Sequence, residues 1–288
     1  MPKLLPAYNK TRIAPTPSGY LHLGNILSFV TTTALAKQSG AKIFLRIDDL
    51  DRLRVNPKYV QDIFDTLNFL EIPWDEGPLN AKDFEDNYSQ IHRMPLYKEA
   101  LKYLSDNKKV FACACSRSQS ETCTCINEHI PLNTENVSWR LATPNNTELQ
   151  VKNYNGEIIQ ASMSVEMQDF VIKKKDGFPA YQLTSVIDDL QYGIDLIIRG
   201  EDLWPSTVAQ HQLALALGKE EFSGIGFYHH LLITESNGNK MSKSAGSTSI
   251  RYLRKNGKTA AEVYSMIAAL LGINTTISNW RQLFGLII

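Results

Sequence analysis

An alternation of short apolar runs and helical patterns limits the fold more than any other feature. Residues 11–15, TRIAP, form an apolar run that Pro15 and Pro17 cut short. NILSFVTTTALAKQSG then carries apolar residues at helical spacing and stops at Gly40, which suits a left-handed C-cap. AKIFLRI reads as a second buried strand, and NPKYVQDIFDTLNFLEI as a helix with Asn56 at its N-cap and Pro57 in its first turn. Strand, helix, strand, helix in this order predicts a parallel sheet, because only a crossover connection returns the chain in the same direction.

The pattern is then interrupted and resumed. A long polar helix is predicted near residues 86–107. From 108 to 178 the texture changes to short strands, clustered cysteines and the turn sequences PNNTE and YNGE. The α/β order returns with AYQLTSVIDDLQYG as helix, DLIIRG as strand, WPSTVAQHQLALALG as helix and GFYHHLLI as strand. The expected organisation is a doubly wound α/β domain in two halves, 1–107 and 179–249, split by an insertion at 108–178 and followed by a helical segment at 250–288.

Composition excludes some functions. Lys plus Arg and Asp plus Glu both number 30, so no general basic surface exists to coat nucleic acid, although a local basic face remains compatible. The N-terminus MPKLLPAYNK lacks the apolar run of a signal peptide, and no stretch has the length of a membrane span. A reducing cytoplasm is the expected compartment.

Two segments point to nucleotide chemistry. LHLGN, residues 21–25, lies where the first strand turns into the first helix, whose free N–H groups and dipole favour phosphate. Gly24 lets a ligand approach the backbone there, and His22 adds a donor. KMSKS, residues 240–244, puts Lys240 and Lys243 in a turn after ESNGN. Each alone reads as an ordinary turn or a solvated lysine loop. Together, in this order on a split α/β fold, they resemble the two nucleotide motifs of class I aminoacyl-tRNA synthetases. The resemblance implies an ATP site of Thr16, Pro17, His22, Gly24, Asn25, Lys240, Met241, Ser242 and Lys243. Asn25 stands where many members have His. His22 would stabilise the phosphates, and the two lysines would neutralise the charge of departing pyrophosphate. Magnesium is expected to arrive with ATP.

The strand ends suggest the second substrate. Arg12, Arg199 and Asp48 all fall where parallel strands deliver side chains to a crevice. Two guanidinium forks and one carboxylate suit a substrate with two carboxylates and one ammonium, although each alone also reads as a structural ion-pair member. RIAPTPSGYLHLGN, LRIDDLDRLR, FLEIPWDEGP and DGFPAYQLTSVIDDLQYGIDLIIRGEDL together resemble the catalytic domain of glutamyl-tRNA synthetases over nearly the whole chain. That likeness implies a Rossmann-like class I catalytic domain. It implies glutamate held by Arg12, Ala14, Thr16, Tyr181 and Arg199, with Asp48, commonly Glu in the family, on the ammonium. RGEDLWPSTVAQ and the cysteine-bearing insertion most resemble the compact glutamyl-queuosine tRNA(Asp) branch, and the resemblance implies that the insertion at 108–178 binds the RNA acceptor as well as zinc. The expected activity is ATP-dependent activation of L-glutamate and its transfer to tRNA, to the queuosine of tRNA(Asp), by a monomer without an anticodon-binding domain. The alternatives are charging of the 3′ end of tRNA(Glu) and a nucleotidyltransferase with another acceptor.

All four cysteines occur as two C-x-C pairs, Cys113/Cys115 and Cys123/Cys125. Four thiolates suit a structural tetrahedral zinc ion, and His129 is a possible substitute ligand. A reducing compartment disfavours two disulfides. The lysine run 173–175 reads as a solvated hairpin rather than an RNA contact. Asp188 and Asp189, adjacent on a helix, do not share a face and are not expected to bind metal.

Overall fold

The computed structural model describes residues 6–116, 119, 123–144, 147–233 and 249–287. Along the chain these form β1 (Lys10–Ile13), α1 (Leu23–Ser39), β2 (Lys42–Leu45), α2 (Pro57–Phe69), α3 (Ala81–Asp83), α4 (Met94–Asp106) and β3 (Val110–Cys113). Then come β4 (Ser138–Leu141), β5 (Glu148–Asn153), β6 (Ile158–Ser162), β7 (Val171–Lys173), α5 (Tyr181–Gln191) and β8 (Leu196–Gly200). The last elements are α6 (Trp204–Ala216), β9 (Gly226–His230), α7 (Ile250–Lys255), α8 (Ala260–Leu270) and α9 (Trp280–Ile287). The chain forms two compact units. The first draws on Met1–His92, Leu196–Asp202 and Tyr228–Ile288, and the second on Arg93–Asp195 and Leu203–Phe227.

In the first unit the strand order is β2-β1-β8-β9. β1 runs parallel to β2, with Arg12 opposite Phe44 and Ile13 opposite Leu45, and parallel to β8 at Thr11 and Leu196. Ile13, Phe44, Leu45, Ile197 and Ile198 are buried, as expected of strands covered on both faces. α1 crosses this sheet with Ile26, Leu27, Val30 and Leu35 inward. It also buries Thr31, Thr32 and Thr33, whose hydroxyls each donate to the carbonyl four residues earlier at 2.8–2.9 Å. Those bonds satisfy three polar groups that burial would otherwise penalise. The helix ends where Gly40 takes φ 79°, a conformation that costs a glycine little.

The C-terminal helices belong to the same unit. α8 and α9 pack against α1, and α7 against α2. Arg254 pairs with Asp62 at 2.8 Å, and the Tyr264 hydroxyl donates to the Leu70 carbonyl at 2.5 Å. Trp280 is buried, with Lys37 and Arg281 stacked 4.9 and 4.6 Å from its ring centroid.

The second unit holds an antiparallel sheet of order β3-β4-β7 and a hairpin of β5 with β6. The start of β9 runs parallel to β5, with Gly226 opposite Lys152. Leu149 and Val151 alternate inward from β5. α5 packs against α4 and α6, and His211 on α6 lies 5.1 Å from both the Phe222 and Phe227 rings.

The helix predicted from residue 86 does not begin there. Residues Phe84–Tyr88 form a single π turn and Gln90–Arg93 a 3₁₀ turn, and α4 starts only at Met94 with Pro95 in its first turn. The Asp49 carboxylate takes the Ser89 hydroxyl at 2.6 Å and the Gln90 amide at 2.8 Å, and these tertiary bonds override helical propensity. β9 likewise stops at His230 instead of running through Ile233.

Candidate active site at the carboxyl ends of the parallel strands

Three predicted residues leave neighbouring strands of the first unit at the same end. Arg12 on β1 is buried, and its Nη1 donates to the Ile198 carbonyl on β8 at 3.3 Å. Arg199 on β8 is also buried. Asp48 follows β2 in an extended run held to the chain after β1, with the Arg46 amide on the Ile13 carbonyl and the Asp48 amide on the Pro15 carbonyl. Alternation in extended backbone puts Arg46 and Asp48 on one face. Their side chains form a bidentate pair at 2.7 and 3.0 Å, buried from solvent. The carboxylate expected to receive an ammonium is thus already fixed by a guanidinium, with lone pairs remaining for a second donor. Ala14 and Thr16 continue β1 into the turn, where the Thr16 carbonyl accepts from Ser18.

Burial at this edge also sets the charge of β9. His229 is pushed down to about 4, first by desolvation and then by the positive charge of Arg199. His230 is lowered as well, chiefly by burial. Both imidazoles are neutral at neutral pH.

His22 is the N-cap of α1, in extended conformation. Asn25, at the third helical position, accepts from the His22 amide at 3.1 Å, which explains how Asn serves there. The His22 ring folds over Gly24 so closely that a Cβ on Gly24 would meet ring atoms at 3.1–3.2 Å. A side chain at position 24 would therefore have to push the His22 ring aside. Residues 234–248, with Lys240, Met241, Ser242 and Lys243, lie outside the described residues. The chain is described again at Ser249, which bridges to His22, and the Ile250 amide donates to the Leu21 carbonyl at 2.8 Å. The described chain thus resumes beside the N-cap of α1.

Tyr181, the first residue of α5, lies in the second unit and is 45% exposed. Sequence reading missed Ser185. It lies one turn along α5 from Tyr181, and its hydroxyl is buried with no partner among the described residues. The available signal was the i, i+4 spacing of Tyr181 and Ser185 on α5. Asp188 was not assigned a partner either. It is fully buried and takes Arg93 at 2.8 and 3.0 Å and the Tyr97 hydroxyl at 2.6 Å.

In the insertion the four cysteines converge. Cys113 and Cys123 sulfurs are 3.5 Å apart, Cys115 and Cys125 are 3.6 Å apart, and all four lie within 4.8 Å of one another. Zinc–sulfur bonds of about 2.3 Å in a tetrahedron require sulfurs about 3.8 Å apart, so the set fits zinc. His129 is not part of this group. Without a metal the Cys115 thiol is pushed up to about 12, first by its contact with Cys125. A bound cation would reverse that direction by stabilising thiolates.

Residues 9–284 match the family of class I tRNA synthetases (E and Q), catalytic domain. The chain belongs to this family. A glutamyl-Q tRNA(Asp) synthetase of Nitratidesulfovibrio vulgaris is 30% identical over 286 residues, covering 91% of this chain and 86% of the relative. Glutamate–tRNA ligase 2 of Syntrophus aciditrophicus is 30% identical over 285 residues, covering 91% of this chain and 57% of that protein. The chain thus spans little more than half the length of the ligase. The solved glutamate-tRNA synthetase of Elizabethkingia anophelis shares the fold, with a TM-score of 0.71 at 20% identity over 96% of this chain and 65% of that one. As a class I (E and Q) catalytic domain, the molecule carries a Rossmann-like α/β core whose parallel strands deliver Arg12, Asp48 and Arg199 to one edge. No helix among the described residues is long and apolar enough to cross a membrane.

Proposed function

We propose that this chain activates L-glutamate with ATP and transfers the glutamyl group to tRNA. The observation that carries the reading is the pair of buried guanidiniums, Arg12 and Arg199, on adjacent parallel strands. Buried guanidiniums select carboxylates, and two of them suit a dicarboxylic amino acid. Arg12, Ala14, Thr16, Tyr181 and Arg199 would hold glutamate, and Asp48, oriented by Arg46, its ammonium. A glutamate carboxylate oxygen attacks the α-phosphorus of ATP. The bond to the β-phosphate oxygen breaks, pyrophosphate leaves with magnesium, and glutamyl-adenylate remains. No protein nucleophile takes part; the chain positions reactants and stabilises charge. Thr16, Pro17, His22, Gly24 and Asn25 would form the phosphate turn, and Lys240, Met241, Ser242 and Lys243 would supply the remaining ATP contacts. An RNA hydroxyl then displaces AMP. Zinc on Cys113, Cys115, Cys123 and Cys125 would brace the insertion, since four protein ligands leave no open position. The proposed setting is a cytoplasmic monomer.

The proposed acceptor is the queuosine of tRNA(Asp), on the likeness of RGEDLWPSTVAQ and of the cysteine-bearing insertion to that branch. Charging of the 3′ end of tRNA(Glu) is the second reading, favoured by glutamate–tRNA ligases that are equally similar in sequence. Incubation with ATP, radiolabelled glutamate and, separately, queuosine-containing tRNA(Asp), queuosine-free tRNA(Asp) and tRNA(Glu) separates the two. The proposal expects label on the first alone. Label on tRNA(Glu) establishes the second reading, and label on neither overturns both.

A further inference from the structure

A zinc ion on four thiolates leaves an excess of two negative charges, because one divalent cation offsets only half of them. Cys113 and Cys125 are buried, and Cys115 and Cys123 are half-buried, so water reaches that charge only in part. A charge held away from water needs opposite charge close by.

The insertion supplies it. A cavity of about 640 Å³ borders Cys113 and Cys115, and Arg140, Lys174 and Lys175 line its walls with a single carboxylate, Asp176. Three cations less one carboxylate leave an excess of two positive charges, equal and opposite to that of the loaded thiolates. All of these residues lie in the second unit.

The sheet brings the cations to the sulfurs. On β3 and β4, Cys113 pairs with Ser138, whose hydroxyl donates to the Cys113 carbonyl at 3.2 Å. Arg140 follows two residues along β4 and lines the same cavity as Ser138. Its Nε is buried with no partner among the described residues, an arrangement that a neighbouring negative centre favours. Lys175 comes from the hairpin after β7. It is exposed, yet its ammonium crosses to the Ala114 carbonyl at 2.7 Å, between Cys113 and Cys115. One neutral carbonyl is a weak reason for an exposed lysine to give up its side-chain freedom. Negative sulfurs on both sides of that carbonyl are a stronger one. Lys174 is already held by Asp176 at 3.0 Å, so less of its charge is available.

We propose that Lys175 and Arg140 are charge partners of the metal centre, which stabilise the zinc-loaded thiolates and set the zinc affinity of the insertion without ligating the ion. Lys175 also fixes the loop between Cys113 and Cys115. The proposal rests on the reading of the four cysteines as a zinc site. It gives the 173–175 run, read from sequence as a solvated hairpin, a part in holding the metal.

The test is zinc affinity, measured by competition with a chromophoric chelator, for the wild-type chain, Arg140→Gln, Lys174→Gln, Lys175→Gln and Lys175→Arg. Thermal melting is recorded for each protein with and without zinc. Arg140→Gln and Lys175→Gln should each weaken zinc binding about 10-fold, the lower end of what outer partners of a metal site contribute. Lys174→Gln should lose less, and Lys175→Arg should retain most of the affinity because it keeps the charge. The melting temperature of the two Gln variants should fall in the zinc-loaded protein and stay level in the metal-free one, where no excess negative charge needs offsetting. Lys175, exposed on its hairpin, keeps the test decisive if Arg140→Gln fails to fold. Unchanged affinity in Lys175→Gln overturns the proposal, and so does an equal fall in melting temperature with and without zinc, or a Lys175→Arg chain as weak as Lys175→Gln. A wild-type chain that binds no zinc removes the zinc site and this proposal with it, whereas zinc held equally by every variant removes this proposal alone. The readout needs no catalysis, so it stands whether or not glutamate is activated.

Discussion

Asp188 shows at the scale of one residue how a charge can be kept inside a helix interface. Its carboxylate sits on α5 with no solvent exposure, and Arg93 and Tyr97 together supply three hydrogen bonds. Burial and that negative charge push the Tyr97 hydroxyl far up, so it stays a donor at any ordinary pH. Asp188→Ala would leave Arg93 buried without its counter-ion, at a cost of about 3–5 kcal/mol. Urea denaturation should show that loss, and a loss under 1 kcal/mol would mean that water reaches the guanidinium. His229 makes a second prediction. Its folded pKa, about 4, lies below its ordinary 6.5. The unfolded chain therefore binds the extra proton first. The stability that His229 contributes is fully present above about pH 6.5 and falls as pH drops toward 4. Melting temperature should decline through that window, and His229→Gln should decline less steeply. Parallel curves for the two proteins would place the titration elsewhere, for example on His230. The Asp188 pairing was illegible in the sequence, and so were those of Asp48 and Asp49. Asp48 and Asp49 are neighbours in the chain, yet one serves Arg46 and the other Ser89 and Gln90, forty residues away.

Elements were legible where local chemistry decides them. Asn56 accepts from the Lys58 amide at 2.9 Å and Pro57 opens α2, as the sequence indicated, because capping depends on a few adjacent residues. Gly40 closes α1 for the same reason. The segment 84–93 was misread because its π and 3₁₀ turns answer to Asp49 rather than to their own propensities. The parallel direction of β1, β2 and β8 followed from the alternation of strand and helix, whereas the order β2-β1-β8 and the bulge at Trp139 and Arg140 left no mark in the sequence. The insertion carries the prediction that belongs to this scale. Protein purified without chelator should hold about one zinc per chain, and chelation should lower its melting temperature. Elemental analysis that finds no metal in protein of normal stability would remove the zinc site. Cys113→Ser should reduce both zinc content and the melting temperature, since the serine hydroxyl is a far poorer ligand for zinc than a thiolate.

For the whole molecule, the account makes substrate choice a consequence of where parallel strands end. Arg12, Asp48 and Arg199 are far apart in sequence and meet one edge of one sheet, while His22 caps α1 in the same unit. Their types were readable from the sequence, and their convergence required the topology. The pairing of Asp48 with Arg46 was not readable, because it depends on the run of backbone bonds that continues β2 past Leu45. The most direct test is amino-acid-dependent ATP–pyrophosphate exchange, measured with glutamate, glutamine and aspartate for the wild-type chain and for Arg199→Ala. A buried guanidinium left without a carboxylate costs about 3–5 kcal/mol, or roughly 100-fold or more in rate. The wild-type chain should therefore exchange with glutamate and neglect glutamine by at least that factor, and Arg199→Ala should lose glutamate exchange by a similar factor. If the wild-type chain uses glutamine as well as glutamate, or Arg199→Ala still prefers glutamate, the assignment of this strand edge as a glutamate-activating site is contradicted.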